Sequence, residues 1–232
     1  SPFMGYHQLG RLTKGDVRAY RVALEEKGLA PQTVKNTLSD LRCMLLWCVD
    51  EGYLDRSPFP RRRIMPRVEQ NPPDRLTDAE VAAILEVGDP HAWVLRLGLG
   101  TGLRWGELCR ARADHLAGDM LVVSRTKSGK VRRVPLAPQL HREIRSRVGR
   151  LVSFATNSPS SFAATVRRRS GVLGFHVHQL RHTFACRWLE DGRSLAALQE
   201  VLGHASIVTT QRYARLTDEF VRAEAARPAV AR

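Results

Sequence analysis

His178 and Arg181 stand three residues apart in the run His178-Gln179-Leu180-Arg181-His182-Thr183-Phe184-Ala185. Leu202-Gly203-His204 follows, and Tyr213 comes nine residues after His204. Earlier, Arg104 and Glu107 are again three apart in Thr101-Gly102-Leu103-Arg104-Trp105-Gly106-Glu107-Leu108, and Lys127 and Lys130 bracket Ser128-Gly129. Arginines, histidines, lysines and a tyrosine are side chains that can serve attack on a phosphodiester. That reaction needs a nucleophile, an acceptor for its proton, positive charge for the pentavalent phosphorus and a proton donor for the departing sugar oxygen. A guanidinium can set two hydrogen bonds on one phosphate and so do what a divalent ion does in many nucleases. No acidic cluster of the kind that holds such an ion is present, so neither a metal nor another cofactor is expected. Residues three apart on a helix share a face, which would let one phosphate meet His178 and Arg181 together.

The charge agrees with a phosphate partner. Of 232 residues, 37 are Lys or Arg and 23 are Asp or Glu, a net charge of +14. The excess covers the whole chain: 13 basic against 9 acidic residues over 1–75, and 24 against 14 over 76–232. A basic chain favours a polyanion, because each phosphate it neutralises releases counterions. With 43% hydrophobic residues the chain can build a core, which disfavours disorder. No run of about 18 apolar residues appears and the first ten residues lack a signal-peptide pattern, so no membrane segment is expected and the cytoplasm is the expected compartment, on the nucleoid. Cys43, Cys48, Cys109 and Cys186 have no metal or disulfide spacing and read as buried, reduced thiols.

These residues need elements to position them. Thr13 caps a helix with Val17, Tyr20 and Leu24 on its inner face, ending at Gly28. A longer helix follows over 33–51 with the stripe Val34, Leu38, Leu41, Leu45 and Val49. Pro58, Pro60, Pro66, Pro72 and Pro73 surround Arg61-Arg62-Arg63 in a stretch that cannot continue a helix. The reading is therefore a helical domain over 1–66, a basic, proline-rich linker over 67–75 and a larger domain over 76–232. Thr77 and Glu80 have the spacing of a capping box, a helix covers His91 to Leu99, and another starts close to Arg104. Met120–Ser124 and Val131–Leu136 read as an antiparallel hairpin whose turn carries both lysines; helices return beyond Pro138. Trp47, Trp93, Trp105 and Trp188 read as core. His182 lies about 100° around its helix from Arg181 and reads, like His176, as a buried, hydrogen-bonded histidine.

The chain resembles the tyrosine recombinases, or phage integrase family. The resemblance rests on the Thr101 to Leu108 motif, the hairpin from Lys127 to Val134-Pro135-Leu136, the His178 to Ala185 block, Leu202-Gly203-His204, and Thr209-Thr210-Gln211-Arg212-Tyr213, all in family order. It implies a mainly α fold with a small antiparallel β-sheet (α+β), in which a helical core-binding, SAM-like domain and an integrase-type catalytic domain form a C-shaped clamp on double-stranded DNA. It implies site-specific strand exchange: Tyr213 attacks, a 3′-phosphotyrosine forms, a 5′-hydroxyl leaves, and a second 5′-hydroxyl reverses the step without ATP. By the same resemblance Arg104 and Arg181 hold the phosphate, His178 assists proton transfer with Tyr213, His204 donates to a phosphate oxygen, and Glu107 orients an active-site side chain. Lys127 matches the general acid; Lys130 competes for that role, with the spacing from Pro135 favouring Lys127. The family works as a homotetramer on synapsed DNA, for which the tail carrying Phe220 and Val221 is a candidate strap.

Two other readings compete. A type IB topoisomerase uses a similar set of residues to relax supercoils, and a DNA-binding protein without catalysis would use the charge alone. Of the two arginine triplets, Arg61 to Arg63 reads as a phosphate contact, whereas Arg167 to Arg169 divides evenly between phosphate contact and a solvated face.

Overall fold

The computed structural model describes residues 8–61, 64–68, 74–124, 131–152, 158–204, 206, 210, 211 and 213. The chain divides into two compact units, Ser1–Gln70 and Asn71–Arg232. The fold is mainly helical with one small antiparallel sheet.

In the first unit, α1 (Lys14–Glu26) starts at Thr13, whose hydroxyl accepts from the Asp16 amide while the Asp16 carboxylate accepts from the Thr13 amide. This reciprocal bonding satisfies two backbone donors that helix geometry leaves open. α2 (Pro31–Asp50) starts two residues before the sequence expectation, because Pro31 at its first position needs no hydrogen-bonded N–H. Val17, Tyr20 and Leu24 pack on Val34, Leu38 and Leu45, with Phe59 and Ile64 closing the cluster. Truncating a fully buried residue such as Leu38 to alanine would cost about 2–5 kcal/mol. Two expectations fail on α2. Trp47 is 54% exposed and Cys43 is also exposed. Trp47 is turned about 100° from the buried Cys48, away from the stripe that carries the core.

The second unit contains α3 (Asp78–Leu85), α4 (His91–Thr101), the single turn α5 (Trp105–Leu108), strands β1 (Leu116–Ala117), β2 (Met120–Val123) and β3 (Arg132–Pro135), then α6 (Pro138–Arg145), α7 (Pro159–Ser170), α8 (His178–Glu190) and α9 (Leu195–Leu202). The sheet order is β1-β2-β3, with Val123 opposite Arg132 and Met120 opposite Pro135. β1 is too short for an alternating pattern to reveal it. Thr77 and Glu80 form the expected capping box. Trp93 and Trp188 are core residues, Trp105 is half-buried against the core, and Cys109 is half-buried rather than buried.

α8 is the central element, packed against α4 and α9 and buried from Gln179 through Cys186. Its outer side is held by the segment ahead of α3. The Leu76 amide donates to Thr183 Oγ1 at 3.0 Å, Gln179 Nε2 donates to Asp74 Oδ1 at 3.0 Å, and His176 Nε2 meets Asp74 Oδ2 at 2.9 Å. Arg75 pairs with Glu190, and Arg187 with Asp78. Among the described residues no helix is long and apolar enough to cross a membrane.

Candidate active site

Arg181 is 2% exposed, and its surroundings explain how a guanidinium can be so placed. Nη1 donates to the Gly102 carbonyl at 2.8 Å; Nη2 donates to the Leu202 carbonyl at 2.8 Å and to His204 Nε2 at 2.9 Å. Both carbonyls lie at helix ends, where backbone acceptors have no intrahelical partner and the helix dipole is negative. Glycine is required at one of them. Gly102 closes α4 at φ 61°, and a Cβ there would sit 2.4 Å from Phe184 Cδ1. Burial, and then the charge of Arg104, pull the Arg181 pKa down to about 10, which still leaves it a cation at neutral pH. Its Nε and the second Nη1 hydrogen have no partner among the described residues, so they remain available to a phosphate.

The end of α9 gathers two further arginines. Arg132 Nε donates to the Val201 carbonyl at 2.7 Å, and Arg104 Nη1 reaches the Leu202 carbonyl at 3.5 Å. Gly203 closes the helix at φ 65°, and a Cβ there would lie 3.0 Å from Arg132 Cδ. Glu107 joins the group from α5. Its carboxylate accepts from Arg132 Nη1 at 2.9 Å and Nη2 at 2.7 Å, from the Arg104 amide at 2.8 Å and from Arg104 Nη1 at 3.3 Å. Burial alone would raise the Glu107 pKa; the Arg132 hydrogen bonds, the Arg104 amide and both positive charges overcome it and bring it to about 2. Glu107 is thus an anion that ties α5 to β3. The Arg104 side chain stays 38% exposed above it.

His204 and Tyr213 form the other side of the site. Because arginine cannot accept, His204 Nε2 is the acceptor toward Arg181, and Nδ1 carries the proton toward Thr210 Oγ1 at 2.8 Å. Burial, followed by the charge of Arg181, lowers its pKa to about 4, so the ring is neutral at pH 7. The Tyr213 ring lies parallel to it, 2° between planes and 6.4 Å between centroids. Tyr213 is 3% exposed, and its hydroxyl meets His182 Nδ1 at 2.8 Å. The His182 ring in turn contacts the exposed His178 ring edge to face at 4.4 Å.

The structure therefore brings together Arg104, Glu107, Arg181, His204 and Tyr213, with His178 one ring removed. Lys127, Lys130, Arg62, Arg63 and the tail with Phe220 and Val221 lie outside the described residues. Arg61 is exposed in the first unit. In the second triplet, Arg167 donates to the Phe175 carbonyl and Arg169 to the Val87 carbonyl, so these two have local partners. Among the described residues no group of His, Cys, Asp or Glu is placed to hold a metal ion.

Sequence reasoning misses two members of the constellation. Arg132 occupies an inward position of β3, in the alternation Arg132 in, Arg133 out, Val134 in; that period-two pattern is the available signal. His182 is buried and hydrogen-bonded as expected; its partner, the Tyr213 hydroxyl, is what the angle to Arg181 hides, whereas four residues from His178 it shares that residue's face.

A mainly helical unit with a three-stranded sheet, gathering three arginines, a neutral histidine and a tyrosine at one helix end, defines the class of integrase catalytic domains. The chain belongs to the phage integrase family, whose profile, described as "Phage integrase family", matches residues 74–219. It is 30% identical over 240 residues to tyrosine recombinase XerC of Yersinia pestis, covering 92% of this chain and 78% of that one. With tyrosine recombinase XerC of Bacillus pumilus (strain SAFR-032) it shares 28% identity over 238 residues, 89% of this chain and 78% of the relative. In fold it is similar to the Tn1549 transposon integrase (residues 82–397) solved in complex with circular intermediate DNA. The TM-score is 0.70 at 23% identity, over 96% of this chain and 88% of that one.

Proposed function

We propose that this chain, a site-specific DNA recombinase of the tyrosine type, cleaves and rejoins duplex DNA through Tyr213, with Arg104 and Arg181 binding the scissile phosphate. The observation that carries the reading is the meeting of Arg181, His204 and Tyr213 at the end of α9. Arg181 contacts His204 at 2.9 Å, and the Tyr213 ring lies parallel to the His204 ring. In the reaction, an oxygen of the phosphate takes up the open donors of Arg181 and Arg104, the Tyr213 oxygen attacks phosphorus, and the 5′ oxygen leaves. Lys127 supplies its proton, with Lys130 as the alternative. For His204 to donate to the phosphate, its Nε2 leaves Arg181 and takes a proton from water while Nδ1 gives its own proton to water and then accepts from the Thr210 hydroxyl. Glu107 sets the start of α5 and so the position of Arg104.

The first unit, 1–66, serves as the core-binding domain and 67–75 as the linker, and the two basic domains close on DNA as a clamp with Arg61, Arg62 and Arg63 on phosphates. Four copies assemble on two synapsed duplexes, and the protein resides on the nucleoid. Trapping on a nicked duplex tests the chemistry: an SDS-resistant adduct is expected from the unaltered protein and none from Tyr213→Phe. Relaxation of any supercoiled plasmid, without need for a particular site, would instead support a topoisomerase. Neutralising Arg61 to Arg63 should flatten the salt dependence of binding, the log–log slope falling by about 0.9 for each DNA phosphate that is no longer neutralised.

A further inference from the structure

The proton of the attacking phenol must be accepted by a group in reach, and His182 is in direct contact with it. Its Nδ1 lies 2.8 Å from the Tyr213 hydroxyl, both residues are nearly buried, and its backbone is fixed on the central helix α8. We propose that His182 is the proton acceptor of Tyr213 during strand cleavage and its proton donor during rejoining. The proposal rests on the reading of Tyr213 as nucleophile.

Two charges of the site act on this pair. Arg181 and an ionised Tyr213 attract one another, so Arg181 favours the phenolate. Asp74 and a charged His182 attract one another, so Asp74 favours the imidazolium. The proton thus leaves a group beside a cation and arrives at a group beside an anion. The His178 ring against His182 and the His204 ring across from Tyr213 also face this pair. Asp74 is itself held by Gln179 and His176, both beside or on α8.

In cleavage the Tyr213 O–H bond breaks as its oxygen bonds to phosphorus, and the proton passes to Nδ1 of His182. The bond from phosphorus to the 5′ oxygen breaks, its electron pair stays on that oxygen, and the oxygen takes a proton from the Lys127 ammonium. Rejoining runs the same path backward. The 5′-hydroxyl returns its proton to the amine as it attacks phosphorus, the phosphotyrosine bond breaks, and His182 protonates the departing phenolate. For this, Nδ1 must be bare and Nε2 must carry the proton in the resting protein.

The test uses the full chain and a pool of end-labelled, singly nicked duplexes of randomised sequence, with adduct formed in a single turnover followed against pH. His182→Asn keeps a hydrogen-bonding group near the Nδ1 position but takes no proton. It should slow adduct formation about 10²–10⁴-fold and remove the bend of the rate profile in the histidine range. Imidazole in the buffer should restore part of the rate of His182→Ala. A His182→Asn variant as fast as the unaltered protein, with the same profile, overturns the proposal and leaves Tyr213 as nucleophile intact. An unaltered protein that forms no adduct overturns both. Should the variants fail to fold, ¹⁵N shifts of the unaltered protein decide, with His182 assigned through Tyr213→Phe: a proton on Nε2 is expected, and one on Nδ1 overturns the proposal.

Discussion

Glu107 and Arg132 face each other through two hydrogen bonds, 2.7 and 2.9 Å, with side chains only 4% and 6% exposed. A buried two-bond pair of this kind adds little net stability compared with apolar residues, but losing one partner strands the other charge. Glu107→Gln or Arg132→Met should each lower stability by about 3–5 kcal/mol, read from the urea midpoint, and the double variant Glu107→Leu/Arg132→Met should recover much of that loss. Adduct formation should stay low in the double variant, because the Arg104 amide and the Val201 carbonyl have both lost their partners.

Two depressed pKa values set the acid limit of the site. Glu107 falls from 4.5 to about 2, so the stability it contributes is present above pH 4.5 and is lost as pH drops through the interval down to about 2. The stake is on the order of 3 kcal/mol. His204 falls from 6.5 to about 4, and the folded state resists its protonation, so stability also declines as pH drops from 6.5 toward 4. Urea unfolding at pH 7, 5 and 3 should show two successive losses, and Glu107→Gln should shrink the lower one to the part that His204 contributes above pH 4.

Arg104 and Arg181 should separate catalysis from stability. Arg104→Ala removes a half-exposed side chain whose hydrogen bonds are 3.3 and 3.5 Å long, so folding should change by less than about 1 kcal/mol. Adduct formation should drop about 10²–10³-fold through weaker stabilisation of the transition-state charge. Arg181→Ala leaves the Gly102 carbonyl without its donor, at about 1–3 kcal/mol, and the Leu202 carbonyl with only the 3.5 Å bond from Arg104, so it should lose activity and fold stability together.

Gly102→Ala should be harmful although it adds one methyl group. The left-handed conformation costs a side chain about 1 kcal/mol. The 2.4 Å approach to Phe184 forces that ring to move, for about 1–3 kcal/mol more. A lowered thermal midpoint, with a further loss of adduct as the Gly102 carbonyl shifts from Arg181, is the expected result.

Local signals carry most of the helices. The Thr13 and Thr77 caps and the inward stripe of α1 depend on neighbours within a turn, and so are written in short runs of sequence. The hairpin strands are legible from their β-branched residues. Arg132 is not, because a strand arginine is solvated by default, and its partner Glu107 lies 25 residues away. His182 escapes for a different reason: its phenol partner is brought in by tertiary packing 31 residues later. Trp47 shows the reverse case, a large apolar side chain that the helix period turns outward.

The arginines at the end of α9 rest on main-chain oxygens, and this decides which mutations the site tolerates. Replacing an exposed residue of α9 such as Glu200 leaves the Leu202 carbonyl in place for Arg181 and Arg104, whereas Leu202 itself is fully buried in the core. Inserting or deleting one residue within α9 rotates its end by about 100° and carries the Val201 and Leu202 acceptors away from Arg104, Arg132 and Arg181 at once. Drift in sequence is permitted at the exposed positions of this helix, such as Glu200, whereas a change in its length is not.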